Sequence, residues 1–169
     1  MADVRPEAEP DREAIRHVHE QAFAPSGGEA RLVDELRAAG DLVPELCLVA
    51  EEDGKVVGHI AFSRAGLDSG HKVLALAPMG VLPERQRAGI GSALVAESLA
   101  LAAETEFPLV VVLGHPEYYP RFGFEGAAPL AVVDPYGAPP EAWMAHRLPR
   151  YTPQARGRVR YAEAFSLVE

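Results

Sequence analysis

The chain has 169 residues, 48% of them apolar and 24% charged, and a formal net charge of −9. This length suits one folded domain, and the composition argues against a disordered chain. No apolar run reaches the ~18 residues of a transmembrane helix, and the acidic balance argues against a nucleic-acid partner. The first residues do not resemble a signal peptide, and the single cysteine excludes an intramolecular disulfide. We therefore expect a cytoplasmic protein with neither a membrane nor a nucleic-acid partner.

The first quarter of the chain is predicted to form a short strand and two helices. Val4 lies in the strand, and Asp11 is a candidate N-cap for a helix over 11–23. A Pro-Ser-Gly-Gly turn follows, and a second helix over 29–39 ends at Gly40. Apolar residues recur at helical spacing in both segments: Ile15, Val18, Ala22 and Phe23, then Leu32, Val33 and Leu36.

The pattern then changes to that of strands. Segments 46–50 and 56–62 are predicted to pair as a hairpin across an Asp-Gly turn, with a loop over 66–71 after it. The next extended segment, 73–82, contains Pro78, which cannot donate a ladder hydrogen bond and therefore indicates a bulge or an edge.

The second half is predicted to continue with a helix over 89–104 and a buried strand over 109–113. A short turn or helix at 117–122 and a last strand within 158–167 follow, whereas 129–157 allows no clear prediction. The order is βααβββαβαβ. The strand–helix–strand unit predicts parallel strands in a right-handed crossover, and the hairpin before it makes the sheet mixed.

A candidate phosphate site lies where the extended segment meets the long helix. The first amides of a helix have no partner within it and carry partial positive charge, so they can bind an anion. Gly89 and Gly91 allow a ligand to approach the backbone, and Arg85 and Arg87 add charge. A Walker loop is absent, and Leu94 stands where a dinucleotide fingerprint needs its third glycine.

The same segment, Gln-Arg-Ala-Gly-Ile-Gly, resembles the Q-x-x-G-x-G acyl-CoA signature of the GNAT superfamily of N-acetyltransferases. Tyr-Tyr-Pro-Arg-Phe-Gly-Phe, further along the chain, is similar to the Y-x-x-x-G-F segment of that family. Five other segments resemble the bacterial YhbS-like branch: 29–33, 77–83, 114–119, 140–144 and 157–161.

The resemblance covers most of the chain and implies its fold class, an α/β (α+β) protein. We expect a single GNAT-like domain over 1–169. It would have a mixed, largely antiparallel sheet with two splayed central parallel strands, flanked by helices.

The resemblance also implies acetyl-CoA as acyl donor. No cluster of His, Asp and Glu has the spacing of metal ligands, so we expect no metal. It implies a pantetheine contact at Met79, Gly80 and Val81. The residues that it implies for the pyrophosphate are Gln86, Arg87, Ala88, Gly89, Ile90, Gly91 and Ser92. The structural alternatives are a plain glycine-containing helix start and an edge strand with a bulge.

Tyr119 occupies the tyrosine position of Y-x-x-x-G-F, which in the family lies near the thioester sulfur. A phenol with a pKa of ~10 is protonated at neutral pH, so it can donate a proton to the departing thiolate. The alternative is a core aromatic residue, and Tyr118 is the adjacent competitor.

Glu29 is the first candidate for the general base, and its alternative role is to complement the dipole of the second helix. His115 follows a parallel strand, at the end where ligands bind in such sheets, and is a candidate substrate contact together with Tyr118. His59 and Cys47 are interpreted as structural residues.

These features predict an N-acetyltransferase that moves the acetyl group of acetyl-CoA to an amine by direct transfer in a ternary complex. The amine is a small molecule or a protein amino group, and the protein is a monomer or a homodimer. Two alternatives stay open: a non-catalytic sensor or regulatory subunit that binds acyl-CoA, and a nucleotide-binding regulatory domain.

Overall fold

A computed structural model describes residues 2–167, which form two compact units. The first unit comprises the chain up to Ser63, the segment Ala77–Leu101 and the chain from Glu163. The second comprises Arg64–Leu76 and Ala102–Ala162. The prediction of a single domain over the whole chain stays a prediction.

The first unit holds an antiparallel set of strands together with the helices. Its elements are β1 (Asp3–Pro6), α1 (Arg12–Ala22), α2 (Gly28–Ala39), β2 (Leu48–Glu52), most of β3 (Lys55–Leu67), the end of β4 (Lys72–Val81), α3 (Ile90–Ala102) and α4 (Ala164–Leu167). β1 pairs antiparallel with β2, and β2 pairs antiparallel with β3. The predicted hairpin and the predicted helices are therefore present.

Helix α1 begins as predicted, but Asp11 does not cap it through its side chain. Its carboxylate instead accepts the Ala8 N–H at 2.8 Å and two N–H groups of Arg5, so it closes the 3-10 turn that precedes the helix. Helix α2 ends as predicted at Gly40, whose φ of +75° lies in the left-handed region that suits glycine.

Two strand boundaries differ from the prediction. β2 begins at Leu48 because Pro44–Leu46 form a 3-10 turn ahead of it. β3 runs on through Leu67 into the predicted loop. The partner for its end is a distant strand, since Leu67 pairs antiparallel with Val159. Sequence pattern alone does not reveal a pairing over such a separation.

The second unit is built around β5 (Leu109–Leu113). It also contains β6 (Glu125–Gly126), β7 (Val132–Val133), β8 (Trp143–Arg147) and β9 (Gly157–Arg160). β5 runs parallel to β4, with Leu74 opposite Val110 and Ala75 opposite Val111, and antiparallel to β8. Strand β8 lies in the segment that allowed no prediction. The predicted last strand divides into β9 and α4.

The strand order is β1-β2-β3-β4-β5-β8-β6, and the parallel pair β4 and β5 lies between antiparallel pairs. The short strand β7 also pairs parallel with β9, which pairs antiparallel with the end of β3. This confirms the predicted mixed sheet. The register between the two parallel strands ends at Ala75 and Val111, and the cis peptide Ala77–Pro78 follows in β4. The splay beyond that point stays a prediction. Within residues 2–167, no helix is long and apolar enough to cross a bilayer.

Candidate active site

The predicted phosphate-binding segment forms an exposed loop ahead of α3. After β4 the chain makes one 3-10 turn, Pro83–Arg85, and then extends at Gln86. Gln86, Arg87, Ala88 and Gly89 are all exposed. The start of the helix is therefore open to an anion rather than covered by other chain.

The backbone of this loop is unusual at two positions. Arg87 has a φ of +64° and Gly89 a φ of +83°, both left-handed, and such a conformation is uncommon for a residue other than glycine. Left-handed residues turn successive N–H groups toward one side and so form anion-binding concavities. The Ala93 N–H donates to the Gly89 carbonyl at 3.0 Å, whereas the Ile90 and Gly91 amides have no backbone partner within residues 2–167. The loop therefore offers unpaired donors.

Three side chains around the loop have different tasks. The Gln86 side-chain amide donates to the Val81 carbonyl at 3.0 Å and ties the loop back to β4. Arg85 was expected to add charge to a phosphate, but its guanidinium binds both oxygens of Glu52 at 2.6 and 2.7 Å. That pairing lowers the pKa of the Glu52 carboxyl. Arg87 forms no ion pair with a described residue, so it is the cation of the loop that stays available.

The end of β4 carries the predicted pantetheine contact. Met79 and Val81 are half-buried and Gly80 is buried. A Cβ atom added at Gly80 would lie 2.9 Å from Nδ1 of His19 and 3.3 Å from Cβ of Ala22. Glycine at this position therefore allows α1 to pack closely on the strand.

The same unit contains a buried row of hydrogen-bonded side chains that was not predicted from the sequence. His19 of α1 and His59 of β3, both 0% exposed, lie with Nε2 and Nδ1 2.9 Å apart. Nε2 of His59 lies 2.7 Å from Glu7 Oε1, and Arg37 of α2 donates to the other Glu7 oxygen. The available signal was a histidine on the apolar face of α1, one residue after Val18.

Burial controls the charge states of the side chains in this hydrogen-bonded row. Burial, and to a smaller extent the neighbouring His59, lower the pKa of His19 to about 3. Burial also lowers the pKa of His59, against the opposing effect of Glu7. Burial would raise the pKa of Glu7, but its bonds to His59 and Arg37 lower it below its usual range. At neutral pH the histidines are therefore neutral and Glu7 is ionised.

In the second unit, Tyr119 opens the 3-10 turn Tyr119–Phe122 that was predicted as a short turn or helix. The side chain is 8% exposed and packs edge-on against Tyr118 and Phe124, at 5.1 and 5.4 Å between ring centroids. Its hydroxyl makes no hydrogen bond to a described residue. Burial, and then Tyr118, raise its pKa to about 12, so it is a protonated phenol at neutral pH.

Gly114 determines where that ring can lie. A Cβ atom at this position would stand 2.3 Å from Cε2 of Tyr119, so only glycine fits beneath the ring. His115 is exposed, and its carbonyl accepts the N–H groups of Tyr118 and Tyr119 at 3.1 and 3.3 Å. Tyr118 is half-buried with the Arg121 guanidinium 4.6 Å above its ring centroid. The two adjacent tyrosines therefore occupy different environments.

Glu29 lies in the first turn of α2, where its carboxylate accepts the Ser26 hydroxyl at 2.9 Å. The Gly28 N–H in turn donates to that Ser26 oxygen at 3.2 Å. This arrangement closes the start of the helix and favours the structural role. The role of Glu29 as a base stays a prediction.

Cys47 is buried, and its thiol donates to the Val43 carbonyl at 3.3 Å. Burial raises its pKa to about 12, which suits a structural residue and not a nucleophile. Among residues 2–167 no cluster of three or more His, Cys, Asp or Glu side chains could hold a metal ion.

The structure thus places the predicted residues in two groups. The loop, the Met79–Val81 segment and Glu29 belong to the first unit, whereas His115 and both tyrosines belong to the second. The contact between Gln86 and Val81 joins the two parts of the predicted acyl-CoA contact directly.

Comparisons with known proteins agree with these features. The Acetyltransferase (GNAT) domain family matches residues 44–126. The uncharacterized N-acetyltransferase YjhQ of Escherichia coli (strain K12) is 37% identical over 160 residues, which cover 90% of this chain and 88% of YjhQ.

Two solved structures are similar over nearly the whole chain. The GNAT family N-acetyltransferase YhbS from Escherichia coli, in complex with CoA, has 33% identity and a TM-score of 0.89, covering 98% of this chain and 92% of that one. A GNAT family acetyltransferase from Brucella melitensis, in complex with acetyl-CoA, has 37% identity and a TM-score of 0.81, covering 98% of each chain. The shared fold, the loop ahead of α3 and these relatives together show that the chain belongs to the GNAT family of acyl-CoA-dependent N-acetyltransferases.

Proposed function

We propose that this protein transfers the acetyl group of acetyl-CoA to an amine by direct attack within a ternary complex. The observation that carries the proposal is the exposed loop before α3, with left-handed backbone at Arg87 and Gly89. The complexes of YhbS with CoA and of the Brucella melitensis relative with acetyl-CoA support the choice of donor.

In this proposal the amides from Gln86 to Gly91, together with Ser92, hold the pyrophosphate, and Arg87 adds a positive charge. Unpaired helix-start amides favour an anion through both hydrogen bonding and the helix dipole. Because Arg85 is already paired with Glu52, it contributes little to the affinity.

The pantetheine arm lies along Met79, Gly80 and Val81. A backbone amide of this segment stabilises the oxyanion that forms at the thioester carbonyl. Support comes from the half-buried environment of Met79 and Val81, which would partly exclude water from the reacting group.

Tyr119 donates a proton to the departing thiolate. Its raised pKa supports this role because the phenol keeps its proton until a stronger base appears beside it, and its hydroxyl is not already engaged with a described residue. Burial favours Tyr119 over Tyr118 as the donor, and leaves Tyr118 and His115 as candidate substrate contacts. The acceptor is a small-molecule amine or a protein amino group.

Ligand-induced stabilisation tests the donor. Acetyl-CoA at 100 times its Kd should stabilise the protein by ~2.7 kcal/mol, whereas ATP and NAD should leave the melting temperature unchanged. Stabilisation by ATP or NAD alone would favour the nucleotide-binding alternative instead.

A matched pair of glycine variants tests the loop. A Cβ atom at Gly89 or at Gly27 would meet no atom within 4 Å, but only Gly89 has a positive φ. Gly89→Ala should therefore weaken CoA binding by distorting the loop, and Gly27→Ala should not. Equal affinities in the two variants would contradict the assignment.

Thiol release from acetyl-CoA with a panel of amines tests the reaction. The wild type should release CoA only when an acceptor amine is present, and Tyr119→Phe should be slower by about 100-fold because it lacks the proton donor. Full activity in Tyr119→Phe would remove the acid assignment. Binding of acetyl-CoA without amine-dependent release would favour the sensor.

A further inference from the structure

An open groove of about 580 Å³ lies between α1 and α2 in the first unit. Its volume is within the range of small-molecule sites, about 300–1,000 Å³. The side chains that line it are Arg12, Glu13 and Arg16 of α1 and Asp34, Arg37 and Ala38 of α2. Five of these six side chains are charged, so the groove suits a polar ligand rather than an apolar one.

The spacing along each helix brings these side chains together. Arg12 and Arg16 are four residues apart on α1, and Asp34 and Ala38 are four residues apart on α2, so each pair shares one helix face. The ion pair between Arg16 and Asp34 connects the two faces. The two helices therefore present charged groups to the same groove.

Arg37 is the most buried of the three arginines in the groove. Its side chain is 16% exposed, against 53% for that of Arg16. Its guanidinium donates to Glu7, which does not line the groove, and an Asp34 oxygen lies 3.8 Å from Nη1, too far for a hydrogen bond. A guanidinium carries five N–H donors, so most of those on Arg37 have no acceptor among the described residues. None of its nitrogens is a buried atom without a partner, so these free donors are accessible.

The lining of the groove carries more positive than negative charge. Three guanidinium groups stand against two carboxylates, Glu13 and Asp34, and Asp34 is already paired with Arg16. Arg12 is exposed and forms no ion pair with a described residue. Hydrogen-bond donors without a partner therefore outnumber the acceptors, which favours a ligand that brings an oxyanion.

We propose that this groove binds a small polar metabolite through a carboxylate or phosphate group. Arg37 binds the oxyanion at the base of the groove, and Arg12 and Arg16 bind it from α1. Planar guanidinium groups suit both kinds of oxyanion, because each oxyanion accepts two parallel N–H···O bonds. Glu13 accepts a hydrogen bond from a hydroxyl or ammonium group of the same ligand.

This site is distinct from the predicted acyl-CoA contacts. None of its lining residues belongs to the loop before α3 or to the Met79–Val81 segment. The proposal therefore goes beyond the proposed function, and its test does not require acetyl transfer.

A nuclear magnetic resonance titration of the full chain tests the site. Succinate and inorganic phosphate are the probes, and sodium chloride keeps the ionic strength constant. We expect saturable shifts of amide and arginine Nε–H resonances on α1 and α2, including those of Arg37. Saturation with succinate alone would assign a carboxylate ligand, and saturation with phosphate alone a phosphate ligand.

Phosphate also has a candidate site in the loop before α3, so only shifts on α1 and α2 count toward this proposal. The absence of a saturable shift on these helices with either probe would overturn it. Such a result would leave the proposed function unaffected, because acetyl-CoA binding and thiol release are measured separately.

Two identical substitutions test the role of charge. Because Arg12 forms no ion pair with a described residue, Arg12→Gln should leave the fold intact. Arg31 is also exposed, lies on α2 and does not line the groove, so Arg31→Gln is the matched control. We expect Arg12→Gln to weaken probe binding by about fivefold or more and Arg31→Gln by less than about twofold. Equal weakening in both variants would indicate a general charge effect and overturn the site.

A second pair of variants tests the space in the groove without changing its charge. Ala38 and Ala39 are adjacent and exposed, but only Ala38 lines the groove. Ala38→Phe should weaken probe binding by about tenfold or more, because its ring occupies the space of the ligand, and Ala39→Phe should not. Circular dichroism checks that both variants are folded. Unchanged binding in folded Ala38→Phe would overturn the proposal.

Discussion

Lowering the pH from 7.5 to 4.5 should destabilise this protein through His19. In the folded state burial lowers the pKa of His19 from 6.5 to about 3, while in the unfolded chain it returns to its ordinary value. Below pH 6.5 the unfolded chain therefore binds a proton that the folded state excludes. The stabilisation is complete above pH 6.5 and is lost as the pH falls toward about 3.

The magnitude follows from the two pKa values of His19. Each pH unit between them costs about 1.4 kcal/mol, so the two units from pH 6.5 to 4.5 remove about 3 kcal/mol. For a chain of this size that loss corresponds to roughly 6–12 °C in Tm. The lowered pKa values of His59 and Glu7 act in the same direction.

Urea unfolding at both pH values, followed by circular dichroism, measures this effect, because α1 and α2 lie in the same unit as His19. Other carboxylates also titrate in this range, so the informative quantity is the difference between variants. The free energy of unfolding of His19→Gln should fall by about 3 kcal/mol less than that of the wild type over this interval. His17→Gln, with its exposed side chain, should behave as the wild type. An equal loss in all three proteins would refute the reasoning.

Three further predictions concern other parts of the molecule. Gly114→Ala should displace the Tyr119 ring, because the new Cβ would lie 2.3 Å from Cε2. The free energy of unfolding should fall by about 1–3 kcal/mol, and thiol release should slow. Unchanged values of both quantities would contradict this packing. Calorimetry should show that Arg87→Ala weakens CoA binding severalfold and that Arg85→Ala weakens it by less than twofold. The reason is that only Arg85 already pairs with a carboxylate. The reverse order would refute the assignment of Arg87 as the cation that binds the phosphate. The Cys47 thiol should react with a disulfide reagent only after unfolding, since burial raises its pKa to about 12, and rapid reaction of the native protein would show otherwise.

Local sequence rules predicted the loop before α3 because the features that define it are local. A strand end, a short polar turn and two glycines at a helix start lie within a few residues of one another. The same holds for the end of α2 at Gly40, where the left-handed conformation needs only the glycine itself.

Side-chain pairing was harder to predict because the partners are distant along the chain. Arg85 was predicted to bind phosphate beside the loop. Its guanidinium instead forms a salt bridge with Glu52, which lies 33 residues away. Asp11 was predicted to cap α1. Its carboxylate instead accepts hydrogen bonds from Arg5 and from the Ala8 N–H. In each case the sequence indicated that the side chain would form hydrogen bonds, but it did not indicate the partner.

Strand β8 was missed for a related reason. Its residues pair with β5, about 34 residues earlier, and the intervening prolines and glycines obscure the alternation of a strand. The Trp143 indole N–H donates to the Val132 carbonyl at 2.9 Å, which is again a contact that no local pattern indicates.

The sequence by itself was sufficient to identify the GNAT family, the mixed sheet and the exposed loop ahead of α3, because each depends on short-range periodicity or on a contiguous motif. Only the tertiary structure brought His19, His59, Glu7 and Arg37 together from two helices, one strand and the end of another. Their hydrogen bonds and shared burial set the charge states of the two histidines and of Glu7. Such properties arise from groups that are far apart in the chain and close in space, so they appear only when the chain is folded.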